Sequence, residues 1–226
     1  MQWWLWPATV VYFVVYPELG LPLAKLTNRH ALWQGDRSVR AMALTFDDGP
    51  DPIYTPAVLD LLDTFQVKAT FFLVGERARK YPNVVEEIRR RGHEIGNHSD
   101  SWTFSHKLTD MAFESDLLRA EASIGIGAHT VRLFRPAGGL IRKQQQAILR
   151  KHGYQLVLAT GLPFDPFGPP SAWITALTAR SMVPGGVVVL HDSGGDRTPT
   201  LKALPRILRI AKRRGLELVK ISELPR

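Results

Sequence analysis

The chain has 226 residues, of which 45% are hydrophobic and 22% charged, enough to bury a full core and better suited to one large domain than to two small ones. It contains no cysteine, which excludes disulfides, zinc-thiolate sites, iron-sulfur clusters and thiol nucleophiles and leaves His, Asp and Glu as metal ligands. The net charge of +8, much of it over 202–214, reads first as a solvated basic face and second as a contact for an anionic surface, and we expect no nucleic-acid partner.

The amino end differs from the rest. No residue over 3–16 is charged, and Trp3-Trp4-Leu5-Trp6 leads into Val10-Val11-Tyr12-Phe13-Val14-Val15-Tyr16. A membrane-spanning helix needs about 20 apolar residues. Extended to Ala24 the stretch is long enough, but it then takes in Pro7, Pro17, Glu18 and Pro22. A basic leading segment and a small-residue cleavage site are missing, which argues against a secretory signal peptide. Residues 1–38 therefore read as a hydrophobic amino-terminal segment and connector. It is either an uncleaved anchor or interfacial segment, since aromatic residues favour the lipid boundary, or a helix packed on the domain. The expected location is the cell envelope, membrane-anchored or extracytoplasmic, with a membrane surface as a partner of this segment.

From 39 onward short apolar runs alternate with amphipathic stretches. A strand over 39–46 precedes a helix over 55–65, and a strand over 67–74 precedes a helix over 84–91 that stops at Gly92. Strand 93–97, helix 110–123, strand 132–135 and helix 143–152 follow. Strand 155–159, helix 173–182, strand 187–191, helix 201–214 and strand 216–221 complete the series. Strands alternating with helices imply parallel crossover units. Seven of them without a dinucleotide glycine fingerprint predict an α/β fold of barrel type rather than an open doubly wound sheet. The domain is expected to run over 39–226.

In such a barrel the chemistry lies in loops at the carboxyl ends of the strands. Asp47 and Asp48 follow the first predicted strand, His98 the third, Arg135 ends the fourth, Asp165 follows the fifth, and His191 with Asp192 ends the sixth. Each alone could be a cap or turn residue; their recurrence at one structural position points to a site. In Thr45-Phe46-Asp47-Asp48-Gly49-Pro50 two adjacent carboxylates at a strand end can point in different directions, so one can hold a metal while the other takes a proton. An Asp-Gly turn explains Asp48 and Gly49 but not the second carboxylate. A haloacid dehalogenase-type phosphatase is disfavoured, since its two carboxylates are separated by one residue and Phe46 stands two before Asp48. His191 ends a buried strand, and its unperturbed pKa near neutrality suits a general acid.

Thr45-Phe46-Asp47-Asp48-Gly49-Pro50, His98-Ser99, Phe134-Arg135-Pro136 and Leu190-His191-Asp192, in this order and spacing, resemble the ordered motifs of the polysaccharide deacetylases of carbohydrate esterase family four. The resemblance covers the chain from Val39 to its carboxyl end. It implies a distorted (β/α) barrel with about seven parallel strands and a metal-dependent hydrolysis of acetyl groups from N-acetylated sugars in peptidoglycan or chitin-like polymers, or from O-acetylated xylan. By the same resemblance Asp47 is the general base, Asp48 and His98 are metal ligands, Arg135 orients Asp47, His191 is the general acid and Asp165 orients His191. The implied cofactor is a divalent metal, zinc ahead of cobalt, manganese and nickel, and the implied partner is an acetylated polysaccharide or oligosaccharide.

Two departures stand out. The family often has an aromatic residue after Arg-Pro, where this chain has Ala137-Gly138-Gly139, which predicts a more open pocket. The family commonly has a second His four residues after the first, and here Trp102 stands in that place; its indole N–H is a donor without an available lone pair. His106 is expected to supply the third ligand instead. Asp100 or water could also fill the position, favouring a harder cation with oxygen ligands. The remaining reading is a catalytically impaired polysaccharide-binding protein with a defective metal site.

Overall fold

The computed structural model describes residues 28–127 and 131–226. The chain divides into two units, Met1–Ala31 and Leu32–Arg226. Of the first, the described part is a turn in which Ala31 N–H donates to Asn28 O (3.0 Å). The predicted amino-terminal segment over 3–16 lies outside the described residues. Among the described residues no helix is long and apolar enough to cross a membrane.

The second unit is a mixed α/β fold around one parallel sheet. Its strands are β1 (Ala41–Gly49), β2 (Thr70–Leu73), β3 (Glu94–Asn97), β4 (Leu133–Phe134), β5 (Gln155–Leu156), β6 (Val187–His191) and β7 (Glu217–Val219). The helices between them are α1 (Tyr54–Thr64), α2 (Gly75–Lys80), α3 (Pro82–Arg90), α4 (Asp110–Ile124), α5 (Lys143–Lys151), α6 (Ser171–Ser181) and α7 (Thr198–Arg213). The strand order is β5-β4-β3-β2-β1-β6, with β7 also paired to β1. Ala43 pairs with both Val187 of β6 and Val219 of β7. β6 and β7 therefore flank opposite edges of β1, and β7 shares its edge with β2 further along. The chain after β5 turns back onto β6 through a Gly161↔Val188 bridge. The sheet thus curls into the distorted (β/α) barrel that the resemblance implied.

The layering follows from the period of two along a strand. Met42, Leu44 and Phe46 pack with Val58, Leu59 and Leu62 of α1 and with Leu204, Ile207 and Leu208 of α7 in the layer between sheet and helices. Ala41 and Ala43 instead join Phe72, Leu133, Val157, Val187 and Ile221 in a second cluster inside the curled sheet. The same alternation carries Thr45 and Asp47 inward at the end of β1, Arg135 after Leu133, and His191 after Val187 and Val189. The helices bury one stripe each: α1 buries Thr55, Val58, Leu59 and Leu62 at helical spacing. In α4 the Thr109 hydroxyl caps Ala112 N–H and Gly125 ends the helix in the left-handed conformation (φ 66°).

The predicted elements are all present with ends shifted by up to three residues, and two differences have a specific physical reason. The short helix α2 was not predicted, because only Gly75 and Ala78 of it are buried and a single buried side chain gives no periodic signal. β2 starts at Thr70 rather than at 67, because Val67 N–H is taken by Leu62 O (3.1 Å) at the end of α1. Residues read as connector are tied into the barrel: Leu32 N–H donates to Leu156 O (2.8 Å) and Gly35 N–H to Gly185 O (2.7 Å).

Candidate active site

Asp47 and Arg135 meet inside the mouth of the barrel. Arg135 Nη1 donates to Asp47 Oδ1 (2.6 Å) and to Thr45 Oγ1 (2.7 Å), and its guanidinium lies over the Phe72 ring at 4.1 Å. Both residues are buried, at 5% and 4% exposure. Burial lowers the Arg135 pKa against the pull of the Asp47 charge. The pair fixes the Asp47 carboxylate and leaves its Oδ2 facing His98 Nε2 at 4.0 Å.

Asp48 adopts φ 73° and Ser99 φ 72°, conformations that L side chains take only when the surroundings hold them. One aims the second carboxylate of the pair, and the other follows His98. Asp48 Oδ1 is 3.4 Å from His98 Nε2 and its Oδ2 is 3.9 Å from His191 Nε2. Burial pushes the Asp48 carboxyl up, but the His98 hydrogen bond and the His191, His98 and Arg197 charges outweigh it and hold it below the ordinary carboxylate range. His98 Nδ1 faces the Arg135 carbonyl at 2.8 Å, which can only accept, so this nitrogen carries the proton. Burial alone would lower the His98 pKa, but Asp47 and Asp48 raise it overall. A lone pair on Nε2 facing a carboxylate at 3.4 Å needs a proton or a cation between them.

His191 stands on the other side of Asp48. Asp165 accepts from its ring Nδ1–H (2.9 Å) and from its backbone N–H (2.8 Å). Burial works against the imidazolium, but the Asp165 charge and hydrogen bond, with Asp48 and Asp47 behind them, push the pKa up to about 9. His191 is therefore an acid at neutral pH, with Nε2 turned to the centre. Asp165 is fixed by Thr200 Oγ1 (3.0 Å) on its carboxylate and by Arg197 Nη1 on its carbonyl (3.1 Å). Arg197 also holds the Ser193 and Gly194 carbonyls, so one buried guanidinium shapes the turn after β6. Behind the Asp47-Asp48 turn, the buried Asp192 accepts from Thr55 Oγ1 (2.5 Å). Burial pushes its carboxyl up to about 7.

The structure thus brings Asp47, Asp48, His98, Arg135, Asp165 and His191 together and leaves His106 apart. His106 lies in a turn of 3-10 helix (Ser105–Lys107), its ring stacked on Phe104 at 5.9 Å, and its buried Nδ1 has no hydrogen-bond partner among the described residues. Burial and the Lys107 and Arg142 charges lower its pKa. Asp100 is no candidate for the third position either. Its carboxylate is gripped by Arg79 (2.5 and 3.1 Å) and Arg119 (3.1 Å), and its backbone N–H donates to Asp116 Oδ2 (2.7 Å). Among the described residues no three His, Cys, Asp or Glu side chains are grouped to hold a metal ion. Two donors do fit a cation, Asp48 and the Nε2 lone pair of His98. The proton on the other ring nitrogen is engaged by a carbonyl, as in bound histidine ligands.

Sequence reasoning missed Thr45, Arg197 and Thr200, which orient the acidic groups. It named Trp102 only as an absent ligand and expected an open pocket at Gly138. A β-carbon on Gly138 would lie 2.5 Å from the Phe104 ring, so an aromatic face occupies that place from another loop. No local pattern marks these pairings; Thr45 alone stood inside a quoted motif.

Residues 34–157 match the family model described as polysaccharide deacetylase. A peptidoglycan-N-acetylglucosamine deacetylase of Bacillus cereus is 37% identical over 199 residues, spanning 87% of this chain and 93% of the relative. A chitooligosaccharide deacetylase of a Bradyrhizobium species is 28% identical over 217 residues, spanning 90% of this chain and 98% of the relative. Among solved structures, a peptidoglycan N-acetylglucosamine deacetylase in complex with 4-naphthalen-1-yl-N-oxidanyl-benzamide has a TM-score of 0.82 at 31% identity, over 85% of this chain and 91% of that one.

Proposed function

The chain belongs to the polysaccharide deacetylase family, and from that premise we propose that its site hydrolyses acetyl groups from N-acetylated sugars of peptidoglycan or chitin-like chains. The observation that supports this reading is the arrangement of two proton-handling groups of opposite character around Asp48: Asp47 clamped by Arg135 (2.6 Å) and His191 held as an acid by Asp165 (2.9 Å). Amide hydrolysis needs that pair. Asp47 takes the proton from the attacking water as its oxygen bonds to the acetyl carbon. The carbonyl becomes a tetrahedral oxyanion, for which a backbone amide of the turn after Arg135-Pro136 is the donor that the family resemblance implies. His191 then protonates the nitrogen as the carbon–nitrogen bond breaks, leaving acetate and a free amine. A divalent cation at Asp48 and His98, zinc by preference, would polarise the carbonyl and acidify the attacking water. Arg135 and Thr45 keep Asp47 aimed, and the Asp165, Thr200 and Arg197 contacts keep His191 aimed.

Among the described residues no third side-chain donor joins Asp48 and His98, which supports a second reading, a polysaccharide-binding protein with a defective metal site. Acetate release from N-acetylated chitooligosaccharides and peptidoglycan fragments, with and without added zinc, separates the two. Turnover lost in both Asp47→Asn and His191→Ala supports the enzyme, whereas background release by the wild-type chain supports the binder. We place the protein at the cell envelope, where such polymers lie, with the uncharged aromatic stretch over 3–16 as a membrane contact. Fractionation of the full chain against a variant lacking 1–27 tests the location.

A further inference from the structure

Trp102 is more than the residue that displaced a ligand. Two of its ring carbons would lie 2.8 Å from a β-carbon built on Gly194, and Asp48 Oδ2 would lie 3.5 Å from the same point. The indole and the central carboxylate therefore border one space at the mouth of the barrel. Gly194 has φ 82° and lacks the side chain that would fill this space, so the benzo ring can settle on the turn after His191. Even so, Trp102 remains 56% exposed.

An exposed indole on a loose loop would have no defined face. This loop is pinned on both sides of the ring. Upstream, Asp100 is held by Arg79 and Arg119, and Ser101 Oγ donates to Asp116 Oδ1 (3.1 Å). Downstream, Phe104 rests on Gly138, and the Ser105 carbonyl accepts from Gln145 Nε2 (2.7 Å). The loop after β3 thus reaches across the mouth, laying one aromatic ring on the β6 turn and another on the β4 turn. A flat apolar face fixed beside the reacting centre suits the apolar face of a pyranose ring. A rigid aromatic binds at low entropic cost because little is left to order.

We propose that Trp102, seated on Gly194 beside Asp48, is a sugar-stacking wall that sets the affinity of this site for its N-acetylated hexose. This rests on the deacetylase reading for its substrate class, and its test is chosen to stand apart from turnover. Binding of N-acetylated chitotetraose to the full chain is measured by calorimetry alongside kcat and KM for acetate release, in the wild type, Trp102→Ala, Trp102→Phe and Gly194→Val.

The expected result is a roughly tenfold weaker Kd and a similarly raised KM in Trp102→Ala with kcat within about threefold, equivalent to about 1.4 kcal/mol. Trp102→Phe should recover most of the affinity, and Gly194→Val, which pushes the ring off its seat, should weaken Kd as Trp102→Ala does. An unchanged Kd in Trp102→Ala overturns the proposal, as does a Trp102→Phe variant no better than Trp102→Ala. Wild-type protein that binds the tetramer through Trp102 but releases no acetate would overturn the deacetylase reading and leave the stacking wall standing.

Discussion

Asp165 accepts two hydrogen bonds from His191, one from ring Nδ1–H at 2.9 Å and one from the backbone N–H at 2.8 Å. The double contact fixes both the tautomer and the orientation of the imidazole. With a pKa of about 9, His191 carries its acid proton through neutral pH, so the alkaline limb of kcat is expected near 9. In Asp165→Asn the charge that raises this pKa is gone, and the limb should move down towards the ordinary histidine value of about 6.5. A pH–rate profile of both proteins checks this, and an unmoved limb would show that another group titrates. The stability sign follows as well. Because the folded pKa is raised, the contribution of His191 is complete below its unfolded pKa and is lost as pH rises through about 9.

The Arg135–Asp47 pair is buried on both sides. Arg135→Met removes one partner and leaves a carboxylate in an apolar setting, which costs about 3–5 kcal/mol in typical buried pairs. Denaturant unfolding should show that loss. Thr45→Val removes the hydroxyl that accepts from Arg135 Nη1 and donates to the Val188 carbonyl and should cost about 1–3 kcal/mol, lowering kcat more than it changes KM. Equal stability of Arg135→Met and wild type would sink the argument.

Metal stoichiometry distinguishes the two donors that fit from the expected third. Asp48→Asn and His98→Ala are each predicted to abolish zinc bound after dialysis, read by elemental analysis. His106→Ala is predicted to leave it unchanged, because that ring stacks on Phe104. Loss of zinc in His106→Ala would show that the loop rearranges around a metal.

Asp116 holds the loop that carries His98 and Trp102 by accepting from Asp100 N–H (2.7 Å) and Ser101 Oγ (3.1 Å). Asp116→Ala strands a buried N–H, a loss of about 1–3 kcal/mol. It should also raise KM by loosening Trp102. Thermal melts and steady-state kinetics together test it, and a destabilised variant with wild-type KM would place Asp116 in the scaffold alone.

Much of this was legible one residue at a time. Strand β1 shows why: Met42, Leu44 and Phe46 alternate with Ala41, Ala43 and Thr45, and the same period of two sends Asp47 inward beside His191, its Cα partner in the sheet. Asp165 was named from its place after a strand, and the structure joins it to His191. His106 stacks on Phe104 in a 3-10 turn, a placement that a sequence distance of one helical turn does not specify. Asp100 was misjudged because Arg79 and Arg119, which claim it, sit on two other helices.

The sequence by itself determined the alternating strands and helices, the inward set of titratable groups and the family, since all of these rest on local period and ordered motifs. Only the tertiary structure decided the pairings across the mouth: Arg197 on the turn after His191, Phe104 on Gly138 and Trp102 on Gly194. Those contacts join residues far apart in the chain, and neither propensity nor spacing encodes which of two loop faces will meet until the barrel has curled.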